Sequence, residues 1–298
     1  MSILLDERTR VCVVGITGGR AAADTAINLQ YGTQIVAGVA PRRGGQEIHG
    51  VPVYDSCADA ARDHQIDAVI TYLPPRAYVQ GMRDALSVRP SWVHAVTEGI
   101  PLHDNVRVLE EARRAGVRVV GPNTSGMISP GRAKVGFVAH ASWMISRGGV
   151  GILSKSGGFT HDLAYLVTQG GFGVSTAVPV GGDSVVGQSF ADLLELFEDD
   201  DQTRGVVVYG EAGPAIELQV AEQVASGRVT KPVVALVAGD FLEQFEEGMV
   251  FGHAGAFLSG SETHATAKRA ALEAAGVRVV TEARDIAPAL AALGVPRA

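Results

Sequence analysis

The sequence predicts an α/β protein in which helices cover the faces of parallel sheets. Two observations support this class. Short runs rich in β-branched residues alternate with helical patterns along all 298 residues, and glycine-rich turns join strands to helices. The periodicity fades into glycine, proline and serine over residues 126–148. We therefore expect a first domain over residues 1–125, a linker over residues 126–148 and a second domain over residues 149–298.

The first domain is predicted to be Rossmann-like, because strands and helices alternate regularly along it. Its predicted strands cover residues 11–15, 34–39, 68–72, 93–96 and 118–121. Its predicted helices cover residues 21–31, 58–63, 78–86 and 106–115. Gly116 follows the last of these helices, at the place where glycine typically ends a helix.

The second domain repeats the alternation and is predicted to be flavodoxin-like. Its predicted strands cover residues 150–153, 174–180, 205–209, 233–237 and 278–280. Its predicted helices cover residues 159–168, 190–198, 215–225, 263–275 and 286–293.

Composition narrows the classes of function. The net charge of −7 argues against nucleic-acid binding through a basic surface. Two cysteines cannot build a disulfide framework, no apolar run approaches membrane-spanning length, and the N-terminus meets charge too soon for a secretory signal. We expect a cytoplasmic protein with no membrane partner, and the sequence predicts no metal site.

The glycine-rich turn over residues 15–20 (Gly-Ile-Thr-Gly-Gly-Arg) lies between the first strand and the first helix. Its glycines permit a tight turn and close approach of the backbone, and the helix N-terminus offers N–H groups and a positive dipole end. This pattern predicts a site for a phosphorylated ligand. A turn that serves packing alone is the alternative.

The turn after the second strand indicates which ligand is bound. A nicotinamide-binding domain usually has an acidic residue there, but this chain has Arg42 and Arg43. Guanidinium groups fit a ribose phosphate, so NADP and coenzyme A are candidates, with a solvated charge pair as the alternative. No acid–base constellation of a dehydrogenase follows, which favours coenzyme A. Val96, Thr97 and Glu98 end the fourth strand at the ligand edge of such a sheet.

A second anion site is predicted where Ser154, Lys155 and Ser156 follow a strand and precede a helix. Ordinary N-capping by serine is the alternative there. Glu211 ends a later strand and could orient an imidazole. His253 lies between glycine and alanine, so it could be a nucleophile, a base, a ligand or an ordinary loop histidine.

Taken in order, these motifs resemble the α subunit of succinyl-CoA synthetase (succinate–CoA ligase). The matching stretches are residues 1–4, 15–18, 44–45, 97–101, 121–123, 154–157, 181–183, 210–211, 230–233 and 252–256. The resemblance implies that His253 becomes phosphorylated and that Glu211 orients it. It also implies that the first domain binds coenzyme A and that the second is the ligase domain.

Further roles follow from the resemblance. The coenzyme A contacts would be Thr17, Gly18, Gly19, Arg20, Arg43, Val96, Thr97 and Glu98. Ser154, Lys155 and Ser156 would open the helix that faces the phosphohistidine. The implied activity forms an acyl-CoA thioester from a carboxylate and coenzyme A with hydrolysis of a nucleoside triphosphate. ATP or GTP, with Mg²⁺, would be bound mainly by a separate β subunit of ATP-grasp fold, which makes the enzyme a hetero-oligomer.

The resemblance suggests that Asn123 and His161 bind the acid substrate. Several residues in this region depart from the family pattern. His161 replaces the usual tyrosine, and Thr124 replaces the usual cysteine. An acidic stretch over residues 240–248 replaces a basic loop before His253. These departures suggest a different carboxylic acid, such as malate. The alternatives are a CoA-binding regulatory or non-catalytic paralogue and, through Arg42 and Arg43, an NADP-dependent reductase.

Overall fold

The structure is a computed structural model that describes residues 2–245, 258 and 260–298. The first sheet contains β1 (Arg10–Val14), β2 (Gln34–Val39), β3 (Glu47–Ile48), β4 (Val51–Tyr54), β5 (Ala68–Thr71), β6 (Trp92–Ala95) and β7 (Arg118–Val120). Its strand order is β3-β4-β2-β1-β5-β6-β7, with all neighbours parallel except β3 and β4. The helices of this domain are α1 (Gly19–Gln30), α2 (Cys57–Asp63), α3 (Tyr78–Ser87) and α4 (Leu102–Ala115).

The second sheet contains β8 (Gly126–Ser129), β9 (Ala133–Gly136), β10 (Arg147–Ser154), β11 (Val174–Pro179), β12 (Gly205–Glu211), β13 (Val233–Ala238) and β14 (Arg278–Val280). Its strand order is β14-β13-β12-β10-β11-β8-β9. The strands from β10 to β14 are parallel, and their helices are α5 (Gly157–Gln169), α6 (Phe190–Asp199), α7 (Ile216–Ala225), α8 (Ala265–Ala274) and α9 (Ile286–Ala292). The predicted α/β class with a Rossmann-like and then a flavodoxin-like domain is confirmed.

The central strands are apolar on both faces because helices cover both sides of each sheet. In β1, Val11 and Val13 pack into one buried cluster, whereas Cys12 and Val14 pack into another on the opposite face. The cluster that holds Val11 also contains Leu153 of the second sheet. The two domains therefore share a continuous apolar core.

Residues 126–148, where we expected a linker, contain β8 and β9. These strands form an antiparallel hairpin, and β8 pairs with β11 through Ile128 and Ala177. Two of the glycines in this region, Gly126 and Gly136, are required by the close approach of the two strands. A Cβ on Gly126 would lie 2.0 Å from the carbonyl oxygen of Val135. Both strands are buried throughout, so their sequences lack the alternation of a half-exposed strand.

Other predicted elements in the described residues are present with shifted ends. The largest shift is in α4, which begins at Leu102 rather than at residue 106. Its first turn is largely exposed, so the apolar pattern starts after the helix does. The short hairpin of β3 and β4 was not predicted, because two strands of two and four residues carry little periodicity. None of the described helices combines the length and the apolar character needed to cross a membrane.

Candidate active site

The turn between β1 and α1 exposes the start of a helix. Gly15 has φ +85°, and a Cβ there would lie 2.3 Å from the carbonyl oxygen of Tyr72, so only glycine fits. Gly18 is the N-cap and its position carries no side-chain cap, while Thr17 and Gly19 are exposed. The first-turn amides of α1 are therefore open to an anionic ligand at the positive end of the helix dipole.

Arg20 is held in place beside this turn. Its Nε donates a hydrogen bond to Oδ2 of Asp24 at 2.9 Å, and Asp24 is itself buried. The Arg20 guanidinium lies 4.0 Å from the centre of the Phe137 ring. Because Phe137 follows β9, the second domain supports a cation of the first.

A cavity of about 830 Å³ lies between the carboxyl edge of the first sheet and the start of α5. Five residues predicted from the sequence line it, namely Arg20, Val96, Thr97, Glu98 and Asn123. Gly157 and Gly158, at the start of α5, line it from the second domain. The structure thus brings Arg20 of α1 and the start of α5 to one cavity, whereas Thr17, Gly18 and Gly19 are not among the residues that line it.

Hydrogen bonds between loops shape the cavity wall. The Thr97 hydroxyl donates to the carbonyl oxygen of Leu73 at 2.8 Å, and the Thr97 carbonyl accepts from the Asn123 amide at 2.8 Å. The Asn123 Nδ2 donates to Oδ1 of Asp183 at 3.0 Å. Asn123 has φ +58°, a left-handed conformation that asparagine tolerates better than most residues. These contacts fix the loops that follow β6, β7 and β11.

The turn before α5 uses its serine hydroxyls internally. Ser156 is the N-cap, and its Oγ accepts from the Phe159 amide at 3.2 Å. The Oγ of the fully buried Ser154 accepts from the Ser156 amide at 3.0 Å. At the predicted second anion site, Ser154 and Ser156 do not line the cavity. The residues there that do line it are Gly157 and Gly158.

Lys155 is buried under the same turn. Its Nζ donates to the Asp183 carbonyl oxygen at 3.0 Å. Burial lowers the pKa of Lys155, while the nearby carboxylates of Glu211 and Glu217 act in the opposite direction. Lys155 therefore contributes charge beneath the α5 start rather than an exposed cationic contact.

Glu211 ends β12, next to the strand that leads into α5. Its amide donates to Oε1 of Glu217 at 3.1 Å, and its carbonyl oxygen accepts from Nζ of Lys268 at 2.7 Å. His253, the predicted phosphoryl carrier, lies outside the described residues.

The described part of the acidic stretch, residues 240–245, is bound to α8. Oδ2 of Asp240 accepts from Nη2 of Arg269 at 2.7 Å, and Oε1 of Glu243 accepts from the Thr266 amide at 3.0 Å. Arg269 lowers the pKa of the Asp240 carboxyl. Two of the acidic side chains thus anchor this segment to its own domain.

Ser125 was not predicted as a site residue, yet it lines the cavity. It is 4% exposed, and its Oγ has no hydrogen-bond partner within the described part of the chain. A Cβ on Gly157 would lie 2.7 Å from this oxygen, so the hydroxyl sits at the start of α5. The neighbouring Thr124 also lines the cavity, but its hydroxyl donates to the Pro179 carbonyl oxygen and contacts His94, so that hydroxyl serves the fold.

His161 and Arg43 differ in how far the structure supports their predicted roles. His161 lies one helical turn after Gly157 in α5, and its buried Nδ1 finds no hydrogen-bond partner among the described residues. Arg43 is exposed on the loop after β2, where its amide donates to Oδ1 of Asp55 at 2.9 Å. As far as the described residues extend, Arg43 does not line the cavity.

Comparison with known proteins agrees with this geometry. Residues 6–99 match a CoA binding domain, and residues 147–293 match the succinyl-CoA ligase like flavodoxin domain. The chain is 40% identical to a succinate–CoA ligase [ADP-forming] subunit alpha of Archaeoglobus fulgidus over 286 residues, which are 96% of each chain. The chain belongs to the succinate–CoA ligase α-subunit family.

One relative has a different named acid, and one solved structure shares the fold. The ADP-forming sulfoacetate-CoA ligase subunit SqwL of Acholeplasma is 36% identical over 300 residues, covering 100% of both chains. The solved ATP citrate lyase of Methanothrix soehngenii shares the fold, with a TM-score of 0.89 at 24% identity. That match covers 99% of this chain and 52% of the lyase chain, so this chain spans about half the length of that polypeptide.

Proposed function

We propose that this chain is the α-type subunit of an ADP-forming acid–CoA ligase and that it works with an ATP-grasp β subunit. The observation that carries the proposal is the cavity in which Arg20 of α1, residues 96–98 and the α5 N-terminus meet. A site built from a helix N-terminus and a guanidinium, with the start of a second helix next to that guanidinium, suits a ligand with several phosphates. The names of the relatives, which are ADP-forming ligases, favour ATP over GTP.

Coenzyme A fits the first-domain half of this cavity. The Gly18 amide donates to the Gly15 carbonyl oxygen at 2.9 Å, so the amides of Gly19 and Arg20 would bind phosphate oxygens. The Arg20 guanidinium would neutralise their charge. The strand-end residues Thr97 and Glu98 offer polar groups at the same edge. We propose that Arg43 contributes at most a solvent-exposed contact, because Asp55 holds its loop at the side of the sheet.

The second-domain half would serve the phosphoryl group. We propose that His253 carries the phosphoryl group covalently, which divides one difficult exchange into two easier transfers. The dipole and amides at the start of α5 would stabilise the transferred anion, with Lys155 supplying positive charge from below. Glu211 would accept a hydrogen bond from the imidazole and set its orientation.

The carboxylic acid would bind at the Asn123 end of the cavity. Ser125 lines this end and holds a buried hydroxyl with no partner among the described residues, so it is suited to bind a polar substrate there. His161 holds a buried Nδ1 without a described partner, but it is not among the residues that line the cavity. Succinate and sulfoacetate, the acids named for the relatives, each combine a carboxylate with a second anionic group. We propose a small acid of this kind, with His161 contributing to the choice among them.

Labelling with ATP tests the phosphoryl carrier. The full chain, purified with an ATP-grasp β-type subunit, is incubated with ATP labelled at its γ-phosphate. We expect an acid-labile label that disappears in His253→Ala and persists in the control His103→Ala, whose side chain is 74% exposed on α4. A label that survives His253→Ala contradicts the assignment of the carrier.

Two further outcomes would favour the alternatives. Binding of coenzyme A without any labelling would support a non-catalytic CoA-binding paralogue. Binding of NADPH without coenzyme A would support the reductase. Calorimetric titration of the full chain with each ligand distinguishes these cases, and Arg20→Met should weaken coenzyme A binding.

A further inference from the structure

A buried ion pair lies behind the strand end that carries Glu211. Glu217 in the first turn of α7 and Lys268 in α8 are joined by an Nζ–Oε2 distance of 2.7 Å, with side chains 1% and 0% exposed. Burial raises the pKa of Glu217, and the Lys268 ammonium opposes that shift. A fully buried ion pair is often no more stabilising than apolar residues of the same volume. Its presence therefore calls for another explanation.

The ion pair binds both backbone polar groups of Glu211. Oε1 of Glu217 accepts from the Glu211 amide at 3.1 Å, and Nζ of Lys268 donates to the Glu211 carbonyl oxygen at 2.7 Å. The same Nζ donates to the Pro214 carbonyl oxygen at 2.9 Å. Two side chains thus fix the backbone of one residue and the turn that follows it.

These hydrogen bonds take the place of strand pairing with β10, which ends before β12 does. In β12, the Tyr209 carbonyl oxygen accepts from the Lys155 amide at 3.0 Å, on the side of β10. Two residues later the backbone of β12 faces the same side again, but the neighbouring chain has turned into α5. The Glu217 carboxylate and the Lys268 ammonium occupy that place, so the Glu211 amide and carbonyl oxygen still have hydrogen-bond partners.

The sequence around the ion pair is adapted to this contact. A Cβ on Gly210 would lie 2.4 Å from Oε1 of Glu217, so a glycine before Glu211 is needed for the carboxylate to reach the backbone. Lys268 is 57 residues from Glu211 in sequence, so the contact depends on the packing of α8 beside the strand. Both the glycine at position 210 and the packing of α8 therefore serve the contact between the ion pair and the Glu211 backbone.

We infer that Glu217 and Lys268 are positioning residues that fix the backbone from which the Glu211 carboxylate acts on the phosphohistidine. The inference rests on the proposed function, in which Glu211 orients His253. Neither residue is assigned contact with substrate. Their removal should shift Glu211 and slow phosphorylation of the histidine, while the binding of coenzyme A at the first domain is unaffected.

The test combines three variants in two backgrounds. Glu217→Gln, Lys268→Met and the double variant are made in the wild-type chain and in Glu211→Gln, each purified with the β-type subunit. The thermal midpoint and the rate of labelling by γ-labelled ATP are measured for each. The single variants leave an uncompensated buried group, so both quantities should fall.

The double variant separates positioning from stability. It removes both buried charges, so we expect its thermal midpoint to recover toward the wild-type value. The Lys268 hydrogen bond to Glu211 stays lost, so labelling should remain about tenfold or more below wild type. In the Glu211→Gln background the double variant should change the labelling rate by less than about twofold, because coupled residues are non-additive.

Three results would overturn the inference. Recovery of labelling together with the thermal midpoint would make the ion pair purely structural. An equal fold-effect of the double variant in both backgrounds would show that it does not act through Glu211. A labelling rate unchanged by Glu211→Gln alone would remove the role proposed for Glu211 itself, which is a separate failure visible before any ion-pair variant is compared.

A conservative variant covers the case in which the double variant does not fold. Lys268→Arg keeps the charge opposite Glu217 but changes the geometry of the donors. A thermal midpoint close to wild type with slowed labelling supports positioning. A midpoint close to wild type with unchanged labelling contradicts it.

Discussion

The Arg20 guanidinium lies 4.0 Å from the centre of the Phe137 ring, and this contact joins the two domains at the edge of the cavity. Arg20 is bound at the same time to the buried carboxylate of Asp24. The guanidinium is therefore held by one partner from each domain before any ligand arrives. A cation fixed in this way loses little freedom when it binds phosphate, which favours affinity.

Phe137→Leu should weaken coenzyme A binding. The substitution keeps an apolar side chain but removes the ring face, and a cation–π contact contributes about 0.5–2 kcal/mol. We expect KM for coenzyme A to rise about threefold to tenfold with little change in kcat. Trp143→Leu is the control, because Trp143 lies in the same connection between β9 and β10 but is 83% exposed. An equal KM in the two variants would contradict the role of Phe137.

Gly15→Ala should destabilise the fold. The residue has φ +85°, a backbone conformation that is strained for alanine. The new Cβ would also lie 2.3 Å from a backbone oxygen, so a steric clash increases the loss of stability. We expect the free energy of unfolding to fall by about 2–4 kcal/mol in urea titrations. Gly19→Ala is the matched control for stability, because no atom lies within 4 Å of its Cβ position. Comparable losses in both variants would count against the explanation.

Ser125→Ala should affect substrate binding without affecting stability. Since the Ser125 Oγ has no partner among the described residues, its removal should change the free energy of unfolding by less than about 0.5 kcal/mol. KM for the acid should rise about tenfold if the hydroxyl binds a charged group of the substrate.

Ser129→Ala provides the contrast for that experiment. The Ser129 hydroxyl is fully buried and donates to the Leu5 carbonyl oxygen at 2.8 Å. The Leu5 carbonyl oxygen also accepts from Ser2 Oγ at 2.6 Å, so the loss removes one of its two hydrogen bonds together with the contact to Thr176 Oγ1. It should cost about 1 kcal/mol of stability. If Ser125→Ala destabilises as much as Ser129→Ala and leaves KM unchanged, Ser125 is a structural residue.

Lys134 should make stability rise with pH above 8. This side chain is fully buried on β9, and burial lowers its pKa to about 8. Between that value and the usual pKa near 10.5 the unfolded chain binds more protons, so the folded state gains stability as pH rises. The gain should reach about 2–3 kcal/mol by pH near 10.

Lys134→Met isolates this contribution. The difference in unfolding free energy between wild type and Lys134→Met, measured in urea at pH 7 to 10, should change in favour of wild type across the interval. Other titrating groups contribute equally to both proteins and cancel. A difference that stays constant with pH would show that Lys134 titrates alike in both states.

The sequence predicted the strands and helices well because the alternation of strand and helix is a local pattern. It failed at β8 and β9, where Gly126 and Gly136 are required by close strand contact rather than by a flexible connection. A local pattern cannot distinguish these two uses of glycine. The placement of strands within each sheet, and the shared core of the two domains, depend on contacts far apart in sequence.

Prediction of the candidate site was uneven for a similar reason. Arg20 and residues 96–98 were predicted from turns at strand ends, and the parallel sheet brings such turns to one edge. Asn123 was suggested by the family resemblance and lies in the same cavity. Ser125 was missed because nothing in its sequence neighbourhood distinguishes an unpaired hydroxyl from a paired one. The pairing of Thr124 and the isolation of Ser125 are set by the chain segments that surround them.

The sequence alone determined the fold class, the glycine turns that open α1 and α5, and the order of motifs that indicates the family. These are properties of neighbouring residues and of their spacing. Only the tertiary structure decided that Phe137 supports Arg20 and that Glu217 and Lys268 hold the backbone of Glu211. Such contacts join segments distant in the chain, and they exist only because the packing of sheets and helices excludes water and places the partners together.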